Sequence, residues 1–157
     1  MSEHFQLKEF EHDEPIPQAI VDSGIFEELA EKVLEPIRAL LDNRPLIITS
    51  GYRSAKTNAT IHGAPGSQHI ATPFYAAADF IFETKVPTLI TFRMAFDKIR
   101  MSYIPFNQLI LEHGQLGTSI IHVSIDTSTP VREALEGATY NRTAYTRWDT
   151  SQIQESA

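Results

Sequence analysis

Hydrophobic positions along the chain fall into two periods. Between Asp22 and Leu41 they recur at intervals of three and four, through Phe26, Leu29, Ala30, Val33, Leu34, Ile37 and Leu40, which is the stripe of one long amphipathic helix. Asp22 or Ser23 supplies its cap, and Pro36, with no amide hydrogen to donate, predicts a kink or a break. "PLIITSGYRS" is a short β-branched run closed by Ser50-Gly51 and reads as a strand entering a loop. From Arg53 to Phe74 the chain carries Asn58, Gly63, Pro65, Gly66 and Pro73 with little apolar periodicity, and ordered loops of this length usually have a function. "AAADFIFE" predicts a strand. "PTLITFRMAFDKIRM" predicts a second helix, with Pro87 in its first turn and Leu89, Phe92, Phe96 and Ile99 on one face. "FNQLILE" and "SIIHVSID" predict two more strands. The ends are less patterned: residues 1–17 read as an extended segment anchored by Phe5, Leu7 and Phe10, and residues from about 131 to 157 as a polar tail that frays at its end.

Composition narrows the picture. A chain of 157 residues without repeats or a linker is expected to form a single domain, 1–157, and buries about two thirds of its unfolded surface. There are no cysteines, so any metal must be held by His, Asp and Glu. Thirteen Lys and Arg against 20 Asp and Glu give a net charge of -7, which argues against a nucleic-acid partner, since phosphate needs a basic face. No apolar run reaches the ~18 residues of a membrane span, and the acidic, polar "MSEHFQLKEFEHDEPIP" is unlike a secretory signal. No membrane partner and no signal peptide are therefore expected.

Strand alternation locates the candidate chemistry, because residues two apart share a face. In "SIIHVSID", Ile121, Val123 and Ile125 take one face and leave His122, Ser124 and Asp126 on the other. In "AAADFIFE", Ala78, Phe80 and Phe82 lie opposite Ala77, Asp79 and Ile81. "FNQLILE" presents Gln108, Ile110 and Glu112 together. If these strands share one sheet, His69 at the loop end, Asp79, His122 and Glu112 converge on its open face. Two imidazoles and a carboxylate suffice for zinc with one position left for water; equally, polar groups on open strand faces are ordinary surface.

The order of "SGYRS", Asn58, "GSQH", "AAD" before an apolar strand, "FNQLILE" and "IHVS" resembles the zinc D-Ala-D-Ala peptidases, most closely their small single-domain bacteriophage branch. "FQLKEFE" and "VLEPIRALL" extend the likeness over residues 5 to about 126. The resemblance implies an α+β fold of the Hedgehog/DD-peptidase type, an antiparallel sheet with helices on one face and zinc on the open face. It implies His69, Asp79 and His122 as Zn²⁺ ligands, Arg53 as a contact to substrate carbonyl or carboxylate, and Ser67 as a second substrate contact. The chain departs from the family pattern twice. The family places the aspartate seven positions after the first histidine, with a glycine between, whereas here the interval from His69 to Asp79 is ten and the glycine is absent. "TPFY" thus looks like an enlarged turn, and Phe74 and Tyr75 either line the cleft or pack under the loop. Many members also carry a glutamate three residues before the last histidine, where this chain has Ser119. In the branch it most resembles, a glutamate closes the preceding strand; here that is Glu112, the candidate general base.

The expected activity is hydrolysis of peptidoglycan stem peptides or cross-links, as a D,D-carboxypeptidase or endopeptidase. Such an enzyme would be made in the cytoplasm and act at the cell wall after holin release or as part of a virion, with other virion proteins as partners. The rival reading is a non-catalytic zinc-binding structural or virion module of the same fold, favoured by the enlarged turn and Ser119. His4 and His12 are expected in solvent, His62 and His113 are secondary candidates, and Tyr140, Tyr145 and Trp148 are expected to pack back on the domain.

Overall fold

A computed structural model describes residues 1–12, 14–83, 89–138 and 144–150. The first helical stripe is realised, with different punctuation. A helix α1 (Gln18–Ser23) stops at Gly24, whose φ of 74° is left-handed backbone that costs glycine nothing. Ser23 Oγ accepts from the Ile25 amide at 3.3 Å, and α2 (Ile25–Leu29) then passes through a π-helical stretch, Ala30–Leu34, into α3 (Glu35–Leu40). The break therefore falls at Gly24 and not at Pro36. The wider i→i+5 turn lies just before the proline, where it can absorb the missing amide donor.

Six strands form one mixed sheet: β1 (Leu46–Ser50), β2 (Tyr75–Phe82), β3 (Gln108–His113), β4 (Ser119–Asp126), β5 (Glu133–Ala138) and β6 (Thr146–Trp148), in the order β1-β2-β4-β3-β5-β6. The expectation of a purely antiparallel sheet is corrected at one seam, since β3 and β5 run parallel. β4 ends beside the start of β3, and the chain crosses that end to begin β5 next to Gln108, so β5 must run with β3. Arg132 holds the crossing. Its guanidinium donates to the carbonyls of Ser102 and Ile104 and lies 4.1 Å over the Phe106 ring. The polar tail is thus corrected to two further strands, and Trp148 packs back under the cations of Arg93 and Arg100. Its alternation is masked by charged residues that pair across the sheet, as Glu133 does with Arg147 at 2.8 Å.

The core lies on one side of this sheet. Ala76, Ala78, Phe80, Ile121, Val123 and Leu109 are buried there against Phe26, Leu29 and Leu34 of the first helices and Phe96 and Ile99 of α5 (Leu89–Arg100). Asp79 and His122 alternate with these residues and face the other way. Phe5 and Phe10 anchor the N-terminal segment at 1% and 0% exposure, the latter through a 3₁₀ turn, Leu7–Phe10, where extended chain was expected. Pro87, Tyr140 and the expected frayed end lie outside the described residues. Among the described residues no helix is long and apolar enough to cross a membrane.

The long loop after β1 contains a helix that its composition hides, α4 (Ala55–Thr60), started by Ser54, whose Oγ accepts from the Thr57 amide at 3.2 Å. Glu14 reaches across from the N-terminal segment and accepts from the Ser54 amide. That hydrogen bond lowers the Glu14 carboxyl below its ordinary range, against a small opposing effect of burial. A depressed carboxylate stabilises the fold above its unfolded pKa and loses that contribution as pH falls through the lower folded value. Acid unfolding should accordingly shift in Glu14→Gln: urea melts of wild type and variant, separated at pH 7, should converge as the pH drops below about 4.

Candidate metal centre

Three strands and one turn bring the polar groups together. Asp79 on β2 lies directly across from His122 on β4, and Ile110 on β3 lies across from His122 on its other side. His69 comes from a 3₁₀ turn, Gln68–Ile70, capped by Ser67, whose Oγ accepts from the His69 amide. The three side chains meet. Asp79 Oδ1 is 3.0 Å from His69 Nε2 and 2.8 Å from His122 Nδ1, and the two imidazole nitrogens are 3.1 Å apart.

The enlarged interval between His69 and Asp79 is accounted for by a turn that satisfies itself. The Thr72 amide donates to the Tyr75 carbonyl at 2.9 Å, and Thr72 Oγ1 accepts from the amides of Phe74 and Tyr75. The Phe74 carbonyl then takes Thr127, so the extra residues lengthen the β2–β4 ladder as far as Tyr75 opposite Asp126 and leave Asp79 in register with His122. Phe74 is 58% exposed and does not line the cleft, and Tyr75 sits half-buried at the start of β2. Neither expectation for Phe74 holds.

Each ring is presented in a definite way. His69 Nδ1 is 2.6 Å from the Gly51 carbonyl, an acceptor, so a proton sits on Nδ1 and Nε2 is the atom presented to the cluster. His122 presents Nδ1, while its Nε2 is buried without a hydrogen bond among the described residues. Burial alone would raise the Asp79 carboxyl, but the charge of His69 and the hydrogen bonds of His122 and His69 outweigh it and hold Asp79 far below the carboxylate range. Its other oxygen faces Arg53 Nη2 at 3.4 Å. Arg53 is aimed by Ser50 Oγ at Nε and by Asn58 Oδ1 at Nη1, and Asn58, 2% exposed, is pinned in turn by the Ala64 carbonyl.

These donors fit a zinc ion. Tetrahedral zinc with bonds of about 2.0–2.1 Å separates its ligand atoms by roughly 3.3 Å, and the observed contacts are within half an ångström of that before any ion draws them into place. Two neutral imidazoles and one carboxylate are also the borderline-soft set that zinc prefers. The oriented Nδ1–H of His69 supplies the outer partner that metal-bound histidines normally have.

Around the cluster is a cleft of about 430 Å³. Arg53, Ser67 and Glu112 line it, so every site residue expected from the sequence is brought to one place. Ser119 is not among them. On the regular β4 strand a residue three before His122 falls on the opposite face, whereas Glu112, two beyond Ile110 on β3, falls on the same face. His62 and His12 are exposed away from the cleft, His4 is bonded to Glu35 at 2.8 Å, and His113 is 3.8 Å from Glu136.

Sequence reasoning missed two groups here. Asn107, 6% exposed, donates to Gln68 Oε1 at 3.0 Å and accepts from the Val131 amide at 2.7 Å, tying the His69 turn to the crossing before β5. Leu135 and Tyr145, from the supposed tail, form part of the cleft wall. Asn107 was visible inside "FNQLILE" as a polar residue entering an apolar strand.

Gly51 joins the fold to the site. A Cβ there would fall 2.6 Å from the Phe10 Cα and carbonyl oxygen, backbone atoms that cannot swing aside. Gly51→Ala is expected to cost about 1–3 kcal/mol by overpacking. It should also weaken zinc binding by about 10–100-fold through the displaced carbonyl at His69. Urea denaturation and competition with a zinc-binding dye would measure the two losses.

No curated protein matches the chain. A family model described as Peptidase M15 matches residues 3–108, about two thirds of the sequence, a span that holds Arg53, Ser67, His69 and Asp79 and stops before Glu112 and His122. That match, over a chain that brings His69, Asp79 and His122 together, establishes that it belongs to the Peptidase M15 family, the zinc D-Ala-D-Ala peptidases.

Proposed function

We propose that this protein is a zinc-dependent peptidase that hydrolyses peptidoglycan stem peptides or cross-links next to a D-amino acid, on a fold of the Hedgehog/DD-peptidase type. The observation that carries the reading is the meeting of His69, Asp79 and His122 in a cleft that also receives Glu112, Arg53 and Ser67. His69, Asp79 and His122 would hold the metal. When bound, zinc lowers the pKa of a water toward neutrality and polarises a peptide carbonyl.

The chain's own groups have separable tasks. Glu112, carried on the face of β3 that looks into the cleft, takes the proton of the attacking water at its carboxylate and returns it to the leaving amine. Arg53, held by Ser50, Asn58 and Asp79, supplies fixed positive charge toward the developing oxyanion or a substrate carboxylate, and Ser67 offers a hydroxyl at the rim. Charge favours such a substrate. Arg53 and Asp79 cancel one another, so a bound dication keeps its full charge against Glu112, and the loaded site attracts anionic or strongly polar groups.

In this reading the protein works at the cell wall, reached after holin release or carried in a virion. The test is release of new amino groups from purified peptidoglycan by zinc-loaded protein beside the chelated form. Chelator-sensitive release supports the proposal; no release from protein holding one zinc per chain refutes it in favour of a non-catalytic zinc module.

A further inference from the structure

The cleft has two unlike walls. On the side of the His69 turn it is polar, with Arg53, Ser67, Gln68 and Asn107. On the side of β3, β5 and β6, Ile110, Leu135 and Tyr145 supply an apolar surface between Gln108 and Glu112 of β3. All three apolar residues lie beyond residue 108, outside the segment matched by the family.

Sheet register explains how Tyr145 comes to be there. Ile110 sits between His122 on β4 and Leu135 on β5, and the next row of the same face sets Glu112 opposite Gly137. Tyr145 lies one step before Thr146, which pairs with Glu136, and so it flanks Gly137 from the outer side. Strands are about 4.8 Å apart, so a side chain at 145 must cross the whole of β5 to reach the cleft. Gly137 leaves that path open: a Cβ there would lie 2.0 Å from Tyr145 Cδ1 and 2.4 Å from Cε1. The ring therefore occupies the space that any other residue at 137 would fill. Tyr145 and Glu112 both line the cleft, on the row next to the one that holds Asp79 and His122.

We propose that Tyr145, admitted over β5 by Gly137, completes with Ile110 and Leu135 an apolar substrate wall that selects a small hydrophobic side chain beside the bond that is cut. The inference rests on the peptidase reading and deepens it. A peptide bound here turns its charged or polar groups to Arg53 and Ser67, and a side chain the size of a methyl to the Ile110–Leu135–Tyr145 surface. The ring, not the hydroxyl, makes the selection. Contacts of this size discriminate by about 10-fold or more per methyl group.

The experiment is steady-state hydrolysis, by zinc-loaded wild type, Tyr145→Ala, Tyr145→Phe and Gly137→Ala, of synthetic stem peptides that carry alanine, serine or glycine at the residue beside the scissile bond. Wild type should prefer alanine to glycine by about 10-fold in kcat/KM. Tyr145→Ala should lose most of that preference through KM, and Tyr145→Phe, which keeps the ring, should recover it. Gly137→Ala, which displaces the ring, should copy Tyr145→Ala wherever its melting curve shows a folded protein. An unchanged preference in Tyr145→Ala overturns the proposal, and so does Tyr145→Phe failing as badly as Tyr145→Ala.

Failure of the peptidase reading looks different, with no turnover by zinc-loaded wild type. In that event the wall is read by nuclear magnetic resonance of ring-¹³C-tyrosine protein titrated with D-alanyl-D-alanine. Shifts at Tyr145 that are absent with glycyl-glycine support the wall; no shift at Tyr145, or equal shifts with both dipeptides, overturns it.

Discussion

Glu112→Gln should reduce kcat by about 10²–10⁴-fold, the usual worth of a positioned general acid or base, while leaving zinc stoichiometry at one per chain. The amide keeps the volume and the hydrogen-bonding reach of the carboxylate but cannot take a proton, so what is lost is proton transfer and not packing. Two features make the substitution informative. Glu112 is separated from His122 by one strand and one row, which places it beside the ligand set without being part of it. Ser119 lies on the opposite face of β4 and carries no carboxylate, so that position does not stand ready to replace it. A variant that binds zinc as wild type does and hydrolyses peptidoglycan at wild-type rate would remove Glu112 from the chemistry. The proposed reaction would then need its base elsewhere in the cleft.

How much of this was legible in the sequence depends on which physical signal wrote it. Strand alternation in "SIIHVSID" and "AAADFIFE" placed Asp79 and His122 on the open face because the opposite face is apolar, and burial of Ile121, Val123, Ala78 and Phe80 follows that pattern. Where apolar residues do not set the period, the reading failed. α4 is made of polar and small residues and is held by Ser54 and by Glu14, a partner 40 residues away. β5 and β6 are held by cross-strand charge pairs and by Arg132 and Trp148, contacts that no local window contains. The break at Gly24 against the passage through Pro36 shows the same limit. A missing donor is local and was seen, but the π-helical stretch that precedes it depends on the packing of Ala30, Val33 and Leu34 in the core. The site itself divides the same way: ligands on regular strands were found from parity, and Tyr145 was not, because its place depends on a glycine in the neighbouring strand.

Loss of a ligand should have the other large effect. His122→Ala is expected to reduce zinc affinity well beyond the ~10–100-fold that follows loss of an outer partner, and to abolish hydrolysis with it. Asp79→Asn should do the same for a different reason. Asp79 is an anion set between two imidazoles and a guanidinium, with His69 at 3.0 Å, His122 at 2.8 Å and Arg53 at 3.4 Å. An amide leaves Arg53, whose side chain is 13% exposed, without its counter-charge, and an unpaired cation held in a partly buried site opposes a second, divalent one. The two variants should therefore separate in the metal-free state. His122→Ala opens a cavity and takes one hydrogen-bonding partner from Asp79, whereas Asp79→Asn breaks the Arg53 pair and leaves a partly buried cation unpaired, so Asp79→Asn should unfold at the lower urea concentration of the two. Zinc should raise the wild-type melting temperature in proportion to the logarithm of its concentration above the dissociation constant, and should move neither variant at concentrations that saturate wild type. Equal stabilisation of wild type and His122→Ala by zinc would mean that the ion binds somewhere other than this cluster, and would withdraw the site on which the peptidase reading stands.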